Sequence, residues 1–251
     1  MLNYRRLPLE GLENVRDLGG YAVPGGMTSY GVFLRSEVPS ALTNSDIAFL
    51  RDYGIKTVID VRGASEVELK PDLLQYEDFV EYIHLPMADR IAAQGSGVLR
   101  MRPTDEDFSW GIHYISMCEN QKAWVKSVIE AISSAKGGLL FHCTTGKDRT
   151  GIISALLLGI CGVDAMDIAA DYCVSEIYLQ VFYESMANFI PVEMRESNYR
   201  PAFFSTDYRN MSVLLEHFNT KYGGIPGYLE SCGSDKNTLN IISEKLVLKN
   251  S

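Results

Sequence analysis

A short polar stretch held between two apolar runs constrains this chain more than any other feature. Gly138-Leu139-Leu140-Phe141 leads into His142-Cys143-Thr144-Thr145-Gly146-Lys147-Asp148-Arg149-Thr150-Gly151, and Ile152 to Ile160 leads out. The first run has the length of a buried strand and the second that of a buried helix. The loop between them packs a thiol, a guanidinium, a carboxylate and an ammonium into one decapeptide. Strand, reactive loop and helix in that order form the usual frame for a phosphate site.

The rest of the chain repeats the alternation. Residues 14–36 carry Gly19-Gly20 and Pro24-Gly25-Gly26, which predict a glycine-rich turn and then a hairpin. Thr43 to Tyr53 reads as a helix stopped by Gly54. Lys56 to Arg62 reads as a strand, Ser65 to Lys70 as a helical turn or two, and Phe79 to Leu85 as a further strand. Residues 87–109 are irregular and bear Arg90, Arg100, Arg102, Asp105 and Asp107. They are read either as a lid over the site or as a plain surface loop. Helical patterns cover Tyr114 to Ser133, Asp167 to Asn188, Met211 to Tyr222 and Asp235 to Leu246. The expected fold class is therefore α/β, a central, mostly parallel sheet flanked by helices on both faces. The strand ends at Arg35-Ser36, Asp60-Val61-Arg62 and His142-Cys143 should meet on one edge.

Composition narrows the function. The chain has 251 residues, 46% hydrophobic and 22% charged, with no linker, repeat or low-complexity tract, so one domain spanning 1–251 is expected. The five cysteines are scattered and none forms a C-x-x-C pair, which argues against a disulfide framework or a zinc site and for a reducing compartment. A net charge of −9 disfavours general nucleic-acid binding. The longest apolar stretch, Ala155 to Val163, is far short of the ~20 residues that span a bilayer. Met1 to Leu7 lacks a signal-peptide core. The expected location is cytoplasmic without a membrane anchor, export by a route lacking a cleavable signal aside.

The loop chemistry follows from spacing. Cys143 and Arg149 are separated by five residues. If the loop curls, the amides of residues 144 to 149 converge on one centre and bind an anion. The helix beginning near Arg149 adds its N-terminal partial charge, and the Arg149 fork pairs two phosphate oxygens. The same environment favours a thiolate at Cys143. Gly146 and Gly151 allow tight turning and close packing. Cys143 is thus the candidate nucleophile; Thr144, Thr145, Gly146, Lys147, Asp148 and Arg149 form the candidate phosphate cradle; and Asp148 is the candidate acid/base. The Thr150 hydroxyl could hydrogen-bond the Cys143 sulfur when it leaves. Asp148 as a helix N-cap, and Lys147 as a merely solvated cation, are the plainer readings of those two residues. No metal or other cofactor is required. A nucleotide-binding reading of Thr144-Thr145-Gly146-Lys147 fails, because Phe141 and Asp148 stand where that motif needs Gly and Ser/Thr.

Residues 142–151 resemble the H-C-x-x-G-K-D-R-T-G signature of cysteine-dependent tyrosine phosphatases, and more narrowly the bacterial tyrosine/serine phosphatase family with dual lipid and protein activity. Asn14-Val15-Arg16-Asp17-Leu18-Gly19-Gly20-Tyr21 is similar to that family's N-terminal signature, with Val15 in place of the usual aromatic. Phe33 to Ser36, Ile59 to Arg62, Asp171 to Ser175 and Tyr222 to Leu229 are similar to further blocks, in order, over residues 10–247. The resemblance implies a protein-tyrosine-phosphatase-like fold, a cysteinyl-phosphate intermediate, no cofactor, and Asp148 as general acid. The chain has no Trp-Pro-Asp acid loop, which agrees with that role. Lys147 is present, but Thr144 occupies the position where phosphoinositide phosphatases often carry a second basic residue.

Of the supporting residues, His142 is expected to orient the loop by hydrogen bonding, and Arg16, Asp17, Asp60 and Arg62 to form ion pairs around the site. The expected activity is hydrolysis of phosphotyrosine, with phosphoserine/threonine or phosphoinositide as further substrates. The partner is then a phosphorylated protein or phosphoinositide. The rivals are an inactive phosphate-recognition module of the same fold and a rhodanese-like sulfurtransferase. Should Asp148 not be the acid, Asp105 and Asp107 are next in line.

Overall fold

A computed structural model describes residues 3–87, 109–180, 183–184 and 205–249. The proposed lid, residues 87–109, falls almost wholly outside the described residues, as do Asp105 and Asp107.

Five strands form the main sheet in the order β1-β4-β7-β5-β6: β1 (Arg16–Asp17), β4 (Phe33–Ser36), β7 (Gly138–His142), β5 (Ile55–Asp60) and β6 (Glu81–His84). Only β1 runs antiparallel to its neighbour. Register sets Ser36 opposite His142, His142 opposite Asp60, and Asp60 opposite His84. Three carboxyl ends expected on one edge therefore lie in one row. The hairpin predicted after Gly20 is β2 (Ala22–Val23) with β3 (Gly26–Thr28). A closing strand not foreseen from the sequence, β8 (Val247–Lys249), joins β3 to complete a second small sheet.

Alternation along the strands divides the interior in two. Phe33, Leu139, Phe141 and Ile59 belong to a large core, whereas Leu34, Leu140, Val58 and Ile55 belong to a smaller one. The smaller core is closed by α1 (Asn44–Asp52), through Leu50, and by Leu7, Leu9, Leu12 and Val15. The large core receives α4 (Lys122–Ser134), α5 (Asp148–Ile160) and the helices that follow it. Helices thus cover both faces, unequally.

Helix α1 starts as its sequence predicts. Thr43 Oγ1 accepts from Asp46 N at 3.1 Å, and Asp46 Oδ2 accepts from Thr43 N at 3.0 Å, a reciprocal cap. Gly54, at φ +96°, follows its end. The single helix expected over Tyr114 to Ser133 is two, α3 (Trp110–Asn120) and α4, broken at Gln121 with φ −118° and ψ 30°. Asn120 Nδ2 donates to the Ser116 carbonyl at 2.7 Å, the kind of side-chain competition that ends a helix. Of the pattern over Asp167 to Asn188, the structure shows α6 (Ala165–Tyr178), capped by Asp164; residues 181, 182 and 185–188 lie outside the described residues. After α7 (Tyr208–Tyr222) comes α8 (Ile225–Ser231), a short helix the sequence reading missed, and then α9 (Lys236–Leu246) with Asp235 as its cap. Among the described residues no helix is long and apolar enough to cross a membrane.

Candidate active site

Cys143 leaves the end of β7 almost completely buried, at 2% exposure. The next residues turn sharply, and α5 begins at Asp148. Gly146 makes the turn possible. Its φ is +71°, and a Cβ there would lie 2.5 Å from the Ser36 carbonyl carbon. Gly151 serves packing instead: a Cβ would press on the Tyr172 ring at 3.2 Å, where α5 meets α6.

Three successive carbonyls of the loop are held by groups outside it. Thr144 O accepts from Val38 N at 3.2 Å, Thr145 O from Asn14 Nδ2 at 2.9 Å, and Gly146 O from Arg35 Nη2 at 2.6 Å. In a trans peptide the carbonyl and the following N–H point in opposite directions. Pinning these carbonyls outward turns the amides of Thr145, Gly146 and Lys147 to the opposite, concave side. A concave row of amides of this kind is able to bind an anion.

Arg149 stands on the first turn of α5 beside Thr144. Its guanidinium forms a two-point pair with Glu66 of α2 (Ala64–Leu69), Nη1 to Oε2 at 2.6 Å and Nη2 to Oε1 at 2.7 Å. Thr144 Oγ1 also donates to Glu66 Oε1. Burial alone would raise the Glu66 carboxyl; the bonds from Arg149 and Thr144 overcome it and bring it down to about 2. Burial opposes the charge on Arg149, but Glu66 and the nearby Cys143 and Asp148 leave its pKa raised. Arg149 is therefore a fixed cation at the mouth of the loop.

Asp148 does not cap α5. Lys147 occupies the cap position, and no side-chain cap bond forms there. The Asp148 carboxylate instead takes the Tyr114 hydroxyl on Oδ1, with Lys147 Nζ 3.4 Å from the same oxygen. Lys147 is not a solvated surface cation: it is 2% exposed, and its ammonium lies 4.3 Å from the centre of the Trp110 ring.

His142 is fully buried behind the loop. Its Nδ1 is 3.1 Å from Cys143 O and its Nε2 3.0 Å from Asp72 Oδ2. Thr150 Oγ1 is buried and has no hydrogen-bond partner among the described residues.

The outer residues sort into two groups. Asp60 and Arg62 pair through Arg62 Nη2 to Oδ2 at 2.6 Å, and Arg62 Nη1 reaches the carbonyls of Glu66 at 3.3 Å and Lys70 at 2.6 Å. This pair anchors α2, the helix that presents Glu66. Arg16 lies below the loop, with Nε on Asp171 Oδ1 at 2.9 Å and Nη1 on Asn14 Oδ1 at 2.5 Å. Arg35 Nη1 donates to the other oxygen of Asp171. Burial would raise Asp171, but the two guanidinium groups hold it well below the usual carboxylate range. Burial, and then repulsion from Arg16, lower Arg35 to about 10. Among the described residues Asp17 forms no ion pair at the site. It accepts from Gly19 N and Gly31 N, each at 2.7 Å, and from the Tyr53 hydroxyl at 2.9 Å, so it is a turn clamp.

Asn14, Arg35, Glu66, Tyr114 and Asp171 were not among the candidate site residues. Asn14, Arg35 and Asp171 fall in sequence blocks already set apart by resemblance, a signal that could have found them. Glu66 and Tyr114 carry no such signal.

Known proteins resemble this chain over most of its length. A family model described as the tyrosine phosphatase family matches residues 7–248. A tyrosine-protein phosphatase of Nostoc commune is 29% identical over 229 residues, covering 85% of this chain and 74% of the relative. The triple specificity protein phosphatase PtpB of Mycobacterium tuberculosis is 25% identical over 278 aligned positions, 94% of this chain and 96% of that one. The crystal structure of P. aeruginosa TpbA aligns with 86% of this chain and 96% of its own at 15% identity and a TM-score of 0.36. A thiol at the end of a parallel strand, an outward-pinned loop and an arginine on the following helix accompany a match that runs nearly end to end, and the chain belongs to the tyrosine phosphatase family: it is a protein-tyrosine phosphatase.

Proposed function

We propose that the chain hydrolyses phosphotyrosine monoesters through a cysteinyl-phosphate formed on Cys143. The observation that carries this reading is the outward pinning of the Thr144, Thr145 and Gly146 carbonyls, which turns three amides inward beside the thiol. In the first step the Cys143 thiolate attacks phosphorus, the S–P bond forms, and the P–O bond to the tyrosine breaks. Asp148 delivers its proton to the departing oxygen. In the second step Asp148 takes a proton from water, whose oxygen attacks phosphorus. The S–P bond breaks, and inorganic phosphate leaves with the thiolate restored. Arg149 and the amides hold the equatorial oxygens, where charge is spread in both transition states. Neither step draws on a metal.

Phosphotyrosine is favoured over phosphoinositide as substrate. Lys147 is engaged by Asp148 and Trp110, and Thr144 stands where a second cation would meet further phosphates. The M. tuberculosis relative is named a triple specificity protein phosphatase, which keeps substrates beyond phosphotyrosine in view. Cys118, Cys143, Cys161, Cys173 and Cys232 are all free thiols, which suits a reducing compartment such as the cytoplasm.

The direct test is Cys143→Ser with a phosphotyrosine peptide. Turnover should vanish, and acid quenching of the wild-type enzyme within one turnover should trap a phosphorylated cysteine. Turnover retained by the variant, or no trapped phosphate, would sink the reading and favour a binding module.

A further inference from the structure

Helix α3 places two residues one turn apart under two consecutive residues of the loop. Trp110 lies beneath the Lys147 ammonium and Tyr114 beneath the Asp148 carboxylate. Positions four apart share one face of a helix, so α3 meets the loop as a two-point template. Tyr114 is fully buried, and its hydroxyl is 2.8 Å from that of Tyr172 on α6, also buried. The Tyr172 hydroxyl in turn stands 3.5 Å from Ser205 O. Burial first, and then the charge of Asp148, keep the Tyr114 phenol protonated. It therefore keeps a proton to donate to Oδ1.

A carboxyl that acts as an acid must carry its proton on one defined oxygen aimed at the leaving group. Reach is limited to about 2.6–3.2 Å, and a misplacement of about 1 Å can cost on the order of a hundredfold in rate. With Oδ1 occupied by a buried phenol, the proton is confined to Oδ2. We infer that Tyr114, backed by Tyr172, is a positioning residue that aims Asp148 at the leaving oxygen by anchoring Oδ1. The inference rests on Asp148 being the acid.

The test compares wild type, Tyr114→Phe and Asp148→Asn on p-nitrophenyl phosphate, whose leaving group scarcely needs a proton, and on phenyl phosphate, whose leaving group does. Tyr114→Phe should lower kcat on phenyl phosphate about tenfold, the effect of one lost hydrogen bond, with KM unchanged and p-nitrophenyl phosphate slowed no more than about twofold. A merely structural role would slow both substrates alike. If Asp148→Asn separates the two substrates and Tyr114→Phe does not, the positioning role is overturned while Asp148 stands. If Asp148→Asn fails to separate them, the acid assignment itself falls and this inference with it. Should Tyr114→Phe not fold, Tyr172→Phe carries the test: a loss confined to phenyl phosphate supports the inference, and an equal or absent loss overturns it.

Discussion

Glu66 holds the guanidinium of Arg149 in a two-point fork, with N–O distances of 2.6 and 2.7 Å, while Thr144 of the loop donates to the same carboxylate. One acidic residue on α2 therefore ties the two ends of the cradle together. Removing its charge should leave Arg149 cationic but poorly aimed. Glu66→Gln is expected to lower kcat/KM for an aryl phosphate about tenfold, because Arg149 must meet two phosphate oxygens at once. Steady-state kinetics would show this, and an unchanged kcat/KM would mean that Arg149 needs no outside alignment.

The same pair predicts an acid dependence. The folded state lowers the Glu66 carboxyl from its ordinary 4.5 to about 2, so the folded protein holds this site deprotonated over a range where the unfolded chain takes up a proton. The stabilisation is complete above about 4.5 and is lost as pH falls toward 2. The stability gap between wild type and Glu66→Gln, about 1 kcal/mol at pH 6 for a partly exposed pair, should close over that window. Urea unfolding at several pH values measures it, and a gap that widens on acidification would contradict the sign.

Asp171 is the counter-ion of two fully buried guanidinium groups, those of Arg16 and Arg35. Asp171→Asn leaves both without a compensating charge, at a cost of about 3–5 kcal/mol. The expected result is a large drop in unfolding midpoint, together with lost activity, since Arg35 also carries the Gly146 carbonyl. A variant as stable as wild type would show that the cluster is dispensable.

Gly146→Ala tests the cradle separately from the thiol. A φ of +71° strains any side chain, and the new Cβ would collide with backbone at Ser36 and Glu37. Made in a Cys143→Ser background, the substitution should weaken inorganic phosphate binding at least about tenfold in calorimetry. Unchanged affinity would mean that the amides contribute little to holding the anion.

What could be read from the chain was local. Thr43, Gly54 and Asp235 mark helix boundaries through bonds to residues a few positions away, and those elements lie where their sequence predicts. The break at Gln121 was hidden because it is a single residue whose backbone leaves the helical region, with α3 ending just before it and α4 starting just after it. Strand β8 was hidden because its partner β3 lies at the other end of the chain.

The site divides along the same line. Cys143, Asp148 and Arg149 lie within seven residues that run from the end of a strand into the first turn of a helix, so their types and spacing alone determined the nucleophile, anion receptor and acid that were proposed. What aims them was decided by the tertiary structure. Asn14 reaches Thr145 across 131 positions, Arg35 reaches Gly146 across 111, Glu66 reaches Arg149 across 83, and Tyr114 reaches Asp148 across 34. Such partners are chosen by a sheet whose spatial order, β1-β4-β7-β5-β6, differs from chain order. A buried polar group takes whichever donor or acceptor that packing brings within about 3 Å, and no spacing along the chain encodes which one it will be.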